Sequence, residues 1–343
     1  MKGLVVEPGR AGSARIEDVP STVSASEVPV RVLEVGVCGT DREIAAGHFG
    51  VAPDGEGLLV LGHEALGIVE RDGHGFLRGD LVSATVRRSC GRCLACAEGA
   101  PDSCLSGAYS ERGITRLHGY ACELVGEDPA QLVPIPKALG RLGVLAEPTS
   151  ICARALRHAH AIGGRQPWQL QQALVVGAGA IGTLVTFLLR LDGVDVVTTS
   201  LEASKPVVAE SGARYVPRSG PLADLGRFDL VVECAGDAQL MADSLGLLRR
   251  SGVACLLGID GREQTVSVDG RTIGLDAVLE NRVLFGSVNA QRQDWIAGVD
   301  ALDRIRRSWP GSLEQLIGAR VPLDRFEDAL AYGGGKAALV LSE

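Results

Sequence analysis

Aromatic residues are scarce in this chain: three tryptophans, four tyrosines and six phenylalanines make up 4% of 343 residues. So few rings give no stacking platform for single-stranded nucleic acid. An excess of cations is also missing. Thirty-four Lys and Arg against 42 Asp and Glu leave a net charge of −8, and an acidic chain has no electrostatic footprint for a phosphate backbone. Nucleic acid is therefore not an expected partner. The main apolar stretch, Ala173 to Leu189, lies at the lower edge of a spanning length of roughly 17–25 residues, and glycines at 177, 179 and 182 interrupt it. No membrane span is expected. The opening Met1-Lys2-Gly3-Leu4-Val5-Val6-Glu7 meets a carboxylate before an apolar signal core can form, so no signal peptide is expected. That reading puts the chain in the cytoplasm, where nine cysteines serve as ligands or core fillers and not as disulfides.

What is present is ordinary for a soluble protein, with 46% hydrophobic and 22% charged residues, except for a high count of 45 glycines. The length implies two domains, because single cores stop growing below it. The first 150 residues read as short strands cut by glycine and proline turns: Val28 to Val37, Leu66 to Glu70 and Asp80 to Val86. No long helical periodicity precedes Gly140. From Ala173 the pattern changes to apolar strands at Ala173–Val176, Val194–Thr198, Phe228–Cys234, Val253–Ile259 and Val283–Phe285, with a helical stretch at Thr183–Leu191 and charged, helix-compatible segments between the later strands. Such alternation predicts a parallel sheet covered on both faces, hence an α/β fold.

Gly177-Ala178-Gly179-Ala180-Ile181-Gly182 follows the first of these strands and opens the helix. Each glycine has a separate task in a dinucleotide fingerprint. Gly177 permits the tight turn, Gly179 lets the backbone approach a pyrophosphate, and Gly182 lets the helix pack close to the sheet. Glu202 lies twenty residues beyond Gly182, where a carboxylate accepts hydrogen bonds from a ribose diol. No arginine stands there to neutralise a 2′-phosphate, and Lys205 is the nearest cation. NAD is favoured, with NADP as the alternative.

Cys90, Cys93, Cys96 and Cys104 form C-x2-C-x2-C-x7-C, a spacing that can surround one tetrahedral zinc ion with thiolates and leave no open position. Disulfides and an iron–sulfur cluster are the competing chemistries. A second group is scattered: Cys38 within Gly36-Val37-Cys38-Gly39-Thr40-Asp41, His63 and Glu64 within Gly62-His63-Glu64, and Glu147 before Pro148. Taken singly, each has a bland reading as a small buried residue, a satisfied loop histidine or a helix-terminal charge.

Together, in this order, these motifs resemble the zinc-dependent medium-chain dehydrogenase/reductase superfamily over nearly the whole chain. Cys38-Gly39-Thr40-Asp41-Arg42-Glu43, Leu61-Gly62-His63-Glu64-Ala65, Glu111-Arg112-Gly113-Ile114 and Val288-Asn289 resemble its glucose dehydrogenase branch. The resemblance implies a GroES-like, β-rich catalytic domain from 1–150 and 288–343, with a structural zinc lobe at about 88–106, and a doubly wound Rossmann domain at 151–287. It implies a catalytic zinc held by Cys38 and His63, with Glu64 and Glu147 as exchangeable ligands, and a second zinc held by the four-cysteine lobe. Thr40 would relay the substrate proton, while Thr40, Glu64, Glu111, Glu147 and Asn289 would meet the substrate. The cofactor would lie along Gly177, Gly179, Ala180, Ile181 and Gly182, with Ser200, Glu202, Val288 and Asn289 completing its site. A homodimer or homotetramer is the family expectation.

The implied reaction is hydride transfer from a sugar or polyol hydroxyl to NAD(P), with zinc acidifying that hydroxyl. Two departures bear on the substrate. Position 86 is valine where the branch carries an amide, and Leu279-Glu280-Asn281-Arg282 offers no histidine. A site that loses polar contacts changes its preference strongly, so an amino sugar, a cyclitol, sorbitol or a threonine-type alcohol are alternatives to glucose. A zinc-stabilised nucleotide-binding structural protein is the non-enzymatic alternative. His48, His158 and His160 are expected to be solvated, and Cys122, Cys152, Cys234 and Cys255 to fill the core.

Overall fold

Glycine and proline turns divide the N-terminal part into short strands gathered round one long strand, Val28–Val37. The computed structural model describes residues 1–21 and 23–342. Two compact units emerge, one comprising Met1–Ser150, Asn289–Asp303 and the chain from Ile317 on, the other Ile151–Val288 and Arg304–Leu316.

In the first unit, Val28–Val37 is buried along nearly its whole length because neighbours cover it on both edges. Glu64–Val69 and Lys336–Val340 flank it, both antiparallel, and Leu124–Glu127 pairs with its first half. The register decides which side chains share a face. Gly36 stands opposite Glu64 on one side and Ala338 on the other, with Val37 opposite Ala337. Side chains alternate across a sheet, so Glu64 and Lys336 emerge on one face, at the end where Val37 gives way to Cys38. A small sheet of Arg87–Arg88, Ser110–Arg112 and Arg116–Leu117 roots the lobe that carries the four cysteines.

The second unit is the predicted doubly wound domain. Six parallel strands run in the order Arg214–Pro217, Asp195–Ser200, Gln172–Val176, Phe228–Glu233, Leu248–Leu256, Val283–Gly286. Leu174, Val176, Val231, Leu240, Leu248 and Ala254 form part of its core. The helix after the first strand starts at Ala180, not Thr183, since Gly182 lies so close to the Gly177 carbonyl that a Cβ there would collide with it. Arg214–Pro217 was not expected as a strand. It is a half-exposed edge with no apolar run, so periodicity carries no sign of it.

One boundary needs correcting. The whole of 288–343 was expected in the catalytic domain, yet Arg304–Leu316 belongs with the Rossmann sheet. The Trp309 ring packs 5.2 Å from that of Phe187, Gln315 donates to Glu210, and Leu313 and Leu316 are buried.

Candidate active site

Cys38 caps the N-terminus of the short helix Gly39–Ala45. Its backbone N–H donates to Asp41 Oδ2 at 2.9 Å, which fixes the turn from strand to helix. The other Asp41 oxygen lies 3.5 Å from His63 Nδ1, while His63 Nε2 comes within 3.2 Å of Cys38 Sγ. A carboxylate behind the ring thus orients the imidazole toward the thiol, the arrangement that prepares a histidine for a metal. Glu64 follows His63 directly, and Glu147 projects from the first turn of Ala146–Gly163. Donor atoms of His63, Glu64 and Glu147 lie within 4.8 Å of one another, as do those of Cys38, Asp41 and His63. Thr40, half-buried, stands two residues from Cys38 in the same first turn.

Two carboxylates buried side by side are costly without a cation. Burial, and then the charge of Glu64, push the Glu147 carboxyl up to about 7. A divalent ion among a thiolate, an imidazole and a carboxylate would relieve that cost. Three mixed protein donors are what a catalytic zinc uses while keeping one position open. Sequence reading missed two members of this cluster. Asp41 was only part of a quoted motif. Lys336, buried, donates from Nζ to both Glu64 oxygens at 2.6 Å; the only sign of it in the sequence is a lone cation opening the apolar run Ala337 to Val340.

The four cysteines of the lobe close on themselves. Sulfur–sulfur distances are 3.9 Å for Cys90–Cys96, 3.4 Å for Cys93–Cys96, 3.9 Å for Cys93–Cys104 and 3.5 Å for Cys104–Cys90. A tetrahedron with metal–sulfur bonds of about 2.3 Å has edges of about 3.8 Å. The spacing fits one zinc ion, and it is far from the ~2.05 Å of a disulfide. A cluster of several irons would hold the sulfurs farther apart. The N–H groups of Cys93 and Leu105 point at Cys90 and Cys93 sulfurs, which stabilises thiolates.

Glu111 and Asn289 come together: Asn289 Nδ2 donates to Glu111 Oε1 at 3.4 Å. Glu111 is not a solvated surface charge. Its side chain is 13% exposed and pairs with Arg87 at 2.9 Å, whose guanidinium lies 4.0 Å over the Tyr109 ring. Asn289 is buried with φ of +66°, a left-handed conformation asparagine tolerates better than most residues. Val86 is buried and presents no hydrogen-bonding group.

In the other unit, Gly177 adopts φ of +101°, and a Cβ there would stand 2.9 Å from the Ala235 nitrogen. Gly179 caps the Ala180–Leu191 helix, with open space where its Cβ would be; a phosphate can approach the backbone there. Ala180 and Ile181 form the helix's first turn. Glu202 is half-exposed, ion-paired to Lys205 at 2.9 Å, and takes a hydrogen bond from Ser200. The Tyr215 hydroxyl donates to the Glu202 carbonyl at 2.6 Å. Val288 is exposed, and its carbonyl accepts from Arg154. His48 is an exposed partner of Glu43, and His160 is exposed beside Trp168, whereas His158 is half-buried and not solvated as expected. Cys122, Cys152 and Cys255 are buried, while Cys234 is only half-buried. Among the described residues no helix is long and apolar enough to cross a membrane.

A β-rich unit bearing a mixed donor set, joined to a six-stranded parallel sheet with a glycine fingerprint, is the architecture of the medium-chain dehydrogenases. Residues 24–137 match the alcohol dehydrogenase GroES-like domain, and residues 140–341 match the glucose dehydrogenase C-terminus. The chain belongs to the glucose dehydrogenase family. It is 40% identical to glucose 1-dehydrogenase of Methanocella arvoryzae, over 96% of each chain, and 38% identical to glucose 1-dehydrogenase 1 of Caldivirga maquilingensis, over 97% of this chain and 96% of that one. Among solved structures, Haloferax mediterranei glucose dehydrogenase in complex with NADP, Zn and gluconolactone superimposes with a TM-score of 0.91 at 32% identity, covering all of both chains.

Proposed function

We propose that this chain is a zinc-dependent sugar dehydrogenase that oxidises the anomeric hydroxyl of an aldose to a lactone and passes the hydride to NAD(P). The observation that carries this reading is the convergence on buried His63 of two donor groups, Cys38 with Asp41 and Glu64 with Glu147, in a chain of the glucose dehydrogenase family. Bound there, zinc would supply the Lewis acidity that makes a sugar hydroxyl acidic near neutral pH. Cys38, His63 and Glu147 would hold it, with Glu64 as an exchangeable donor, while the lobe cysteines would hold a second, structural ion. Asp41 keeps the His63 ring turned toward the thiol. Thr40 relays the proton of the substrate hydroxyl, its Oγ1 accepting that proton as its own passes on to water, and Glu111 and Asn289 orient the remaining hydroxyls. Arg87 holds one Glu111 oxygen, which leaves the other for the sugar.

We further propose NAD as the preferred cofactor. Glu202, just past the strand Asp195–Ser200, supports this reading because its carboxylate would repel a 2′-phosphate, although the Haloferax mediterranei relative was solved with NADP. Val86 argues for an aldose that does not depend on the hydroxyl an amide would read. The protein would work in the cytoplasm as a homodimer or homotetramer, through the edge strand Val283–Gly286, whose Leu284 is exposed. Metal analysis combined with a panel of aldoses, amino sugars, cyclitols, sorbitol and threonine tests the reading. Two zinc ions per chain and NAD(P)-dependent turnover of an aldose are expected. Zinc confined to the lobe with no turnover would overturn it in favour of a structural role.

A further inference from the structure

Glu64 is unusual among the candidate donors because both of its oxygens are already engaged. Lys336 Nζ lies 2.6 Å from Oε1 and 2.6 Å from Oε2, and 3.5 Å from the Val37 carbonyl. Lysine and glutamate are 3% and 2% exposed. An ammonium in so dry a place persists only when paired, and charge-assisted bonds of this length are the strong kind. The sheet builds the pair. Glu64 and Lys336 come from the two strands flanking Val28–Val37 and emerge on one face, with Gly36 between them. A Cβ at Gly36 would collide with the Glu64 carboxylate, so the glycine leaves the room that lets the carboxylate lie toward the lysine.

We infer that Lys336 is the positioning residue of the metal centre: its ammonium competes with the ion for Glu64 and keeps that carboxylate out of the resident donor set. Cys38, His63 and Glu147 then hold the ion, and Glu64 reaches it only by leaving the lysine. The inference rests on the zinc reading above. It also has an electrostatic consequence. With Glu64 held by Lys336, the ion, the Cys38 thiolate and the Glu147 carboxylate sum to zero, whereas a third anionic donor would leave the centre negative and weaken its pull on an oxygen ligand.

The test uses the full chain with cobalt(II) in the mixed site and zinc retained in the lobe, so that visible absorption reports the ligands of the mixed site alone. In K336M, Glu64 loses its partner and binds the metal. The cobalt spectrum is expected to change, and release of the cobalt to a chelator to slow by about tenfold, the usual scale for disturbing a group behind a metal ligand. K336R should keep both wild-type values, and the double variant K336M/E64Q should return to them. If K336M does not fold, E64Q in the presence of Lys336 decides the matter: an unchanged cobalt spectrum supports the inference, and a changed one overturns it. Loaded K336M with wild-type spectrum and release rate overturns the role of Lys336 alone. Wild-type protein that takes up no cobalt at this centre overturns the zinc reading and this inference with it.

Discussion

The two donor sets of the first unit are built on opposite principles. The lobe takes four identical ligands from fifteen consecutive residues, Cys90 to Cys104, all only half-buried. The other set draws a thiol, an imidazole and carboxylates from positions 38 to 147, on the ends of a long strand, a neighbouring strand and a helix. The first would need no fold around it beyond a loop, because a bound metal would supply the cross-link. The second exists only after the sheet has set its register. Uniform thiolates close every coordination position and leave nothing to react. Mixed donors, backed by Asp41 and Lys336, would leave a bound ion the open position and fixed charges that chemistry requires.

The sharpest way to break this contrast is to remove one ligand from each set. H63A should lower kcat/KM by at least ~10³-fold, which corresponds to about 4 kcal/mol of transition-state stabilisation, and should halve the zinc content while the melting temperature moves little. C93S should do the reverse, lowering Tm by roughly 4–8 °C for a loss of about 2 kcal/mol, with kcat nearly retained in the protein that remains folded. Steady-state kinetics, metal analysis and calorimetry on the two variants check both halves. Equal loss of activity in C93S would mean that the lobe is not merely structural.

A second substitution sharpens the contrast by separating the lobe's tip from its root. Glu127, 1% exposed, is ion-paired with Arg88 at 2.8 Å and accepts from Arg112 at 3.0 Å, the residues that lead into and out of the cysteine loop. Burial alone would raise its carboxyl, but the Arg88 and Arg112 charges and the Tyr120 hydroxyl hold it below its ordinary 4.5. A carboxylate whose folded pKa is depressed stabilises the fold fully above about 4.5, and that contribution is lost as pH falls through the folded value. E127Q should therefore cost about 3 kcal/mol at pH 7, the scale of removing one partner from a buried ion pair. Denaturant unfolding across pH should show the gap between wild type and E127Q narrowing below about pH 4.5. A gap independent of pH would mean that the two arginines do not depend on the charge of Glu127.

The same contrast explains what could be read from the chain alone. The lobe and the Gly177–Gly182 fingerprint are local: ligand spacing or strand-turn-helix order carries their geometry within a few residues. The mixed set was legible only as a family pattern, since nothing in the spacing from Cys38 to His63 to Glu147 brings them together. Lys336 was invisible, because its meaning lies in the pairing of Lys336–Val340 with Val28–Val37, some three hundred residues away. The strand Arg214–Pro217 escaped notice for a different reason. An edge strand needs no apolar run, and its order comes from a parallel neighbour. Segment 304–316 was assigned to the wrong unit because chain order was followed, where Trp309 and Leu313 follow the nearest apolar face.

The smallest effect belongs to the other unit, and it tests whether cofactor choice is independent of both donor sets. Glu202 is about half exposed and its charge is balanced by Lys205, so solvent screens it and a single substitution shifts preference only modestly. E202R should raise the NADP-to-NAD ratio of kcat/KM by about tenfold, equivalent to about 1.4 kcal/mol, by exchanging repulsion of a 2′-phosphate for a guanidinium that pairs with it. Zinc content should stay at its wild-type value and Tm should scarcely move, because among the described residues every clustered donor set lies in the first unit and Glu202 in the second. Initial rates with each cofactor at matched sugar concentration decide it. A wild type already faster with NADP would mean that Lys205 and the hydroxyls of Ser200 and Tyr215 outweigh the carboxylate, and the sign of the whole subsite would have to be reversed.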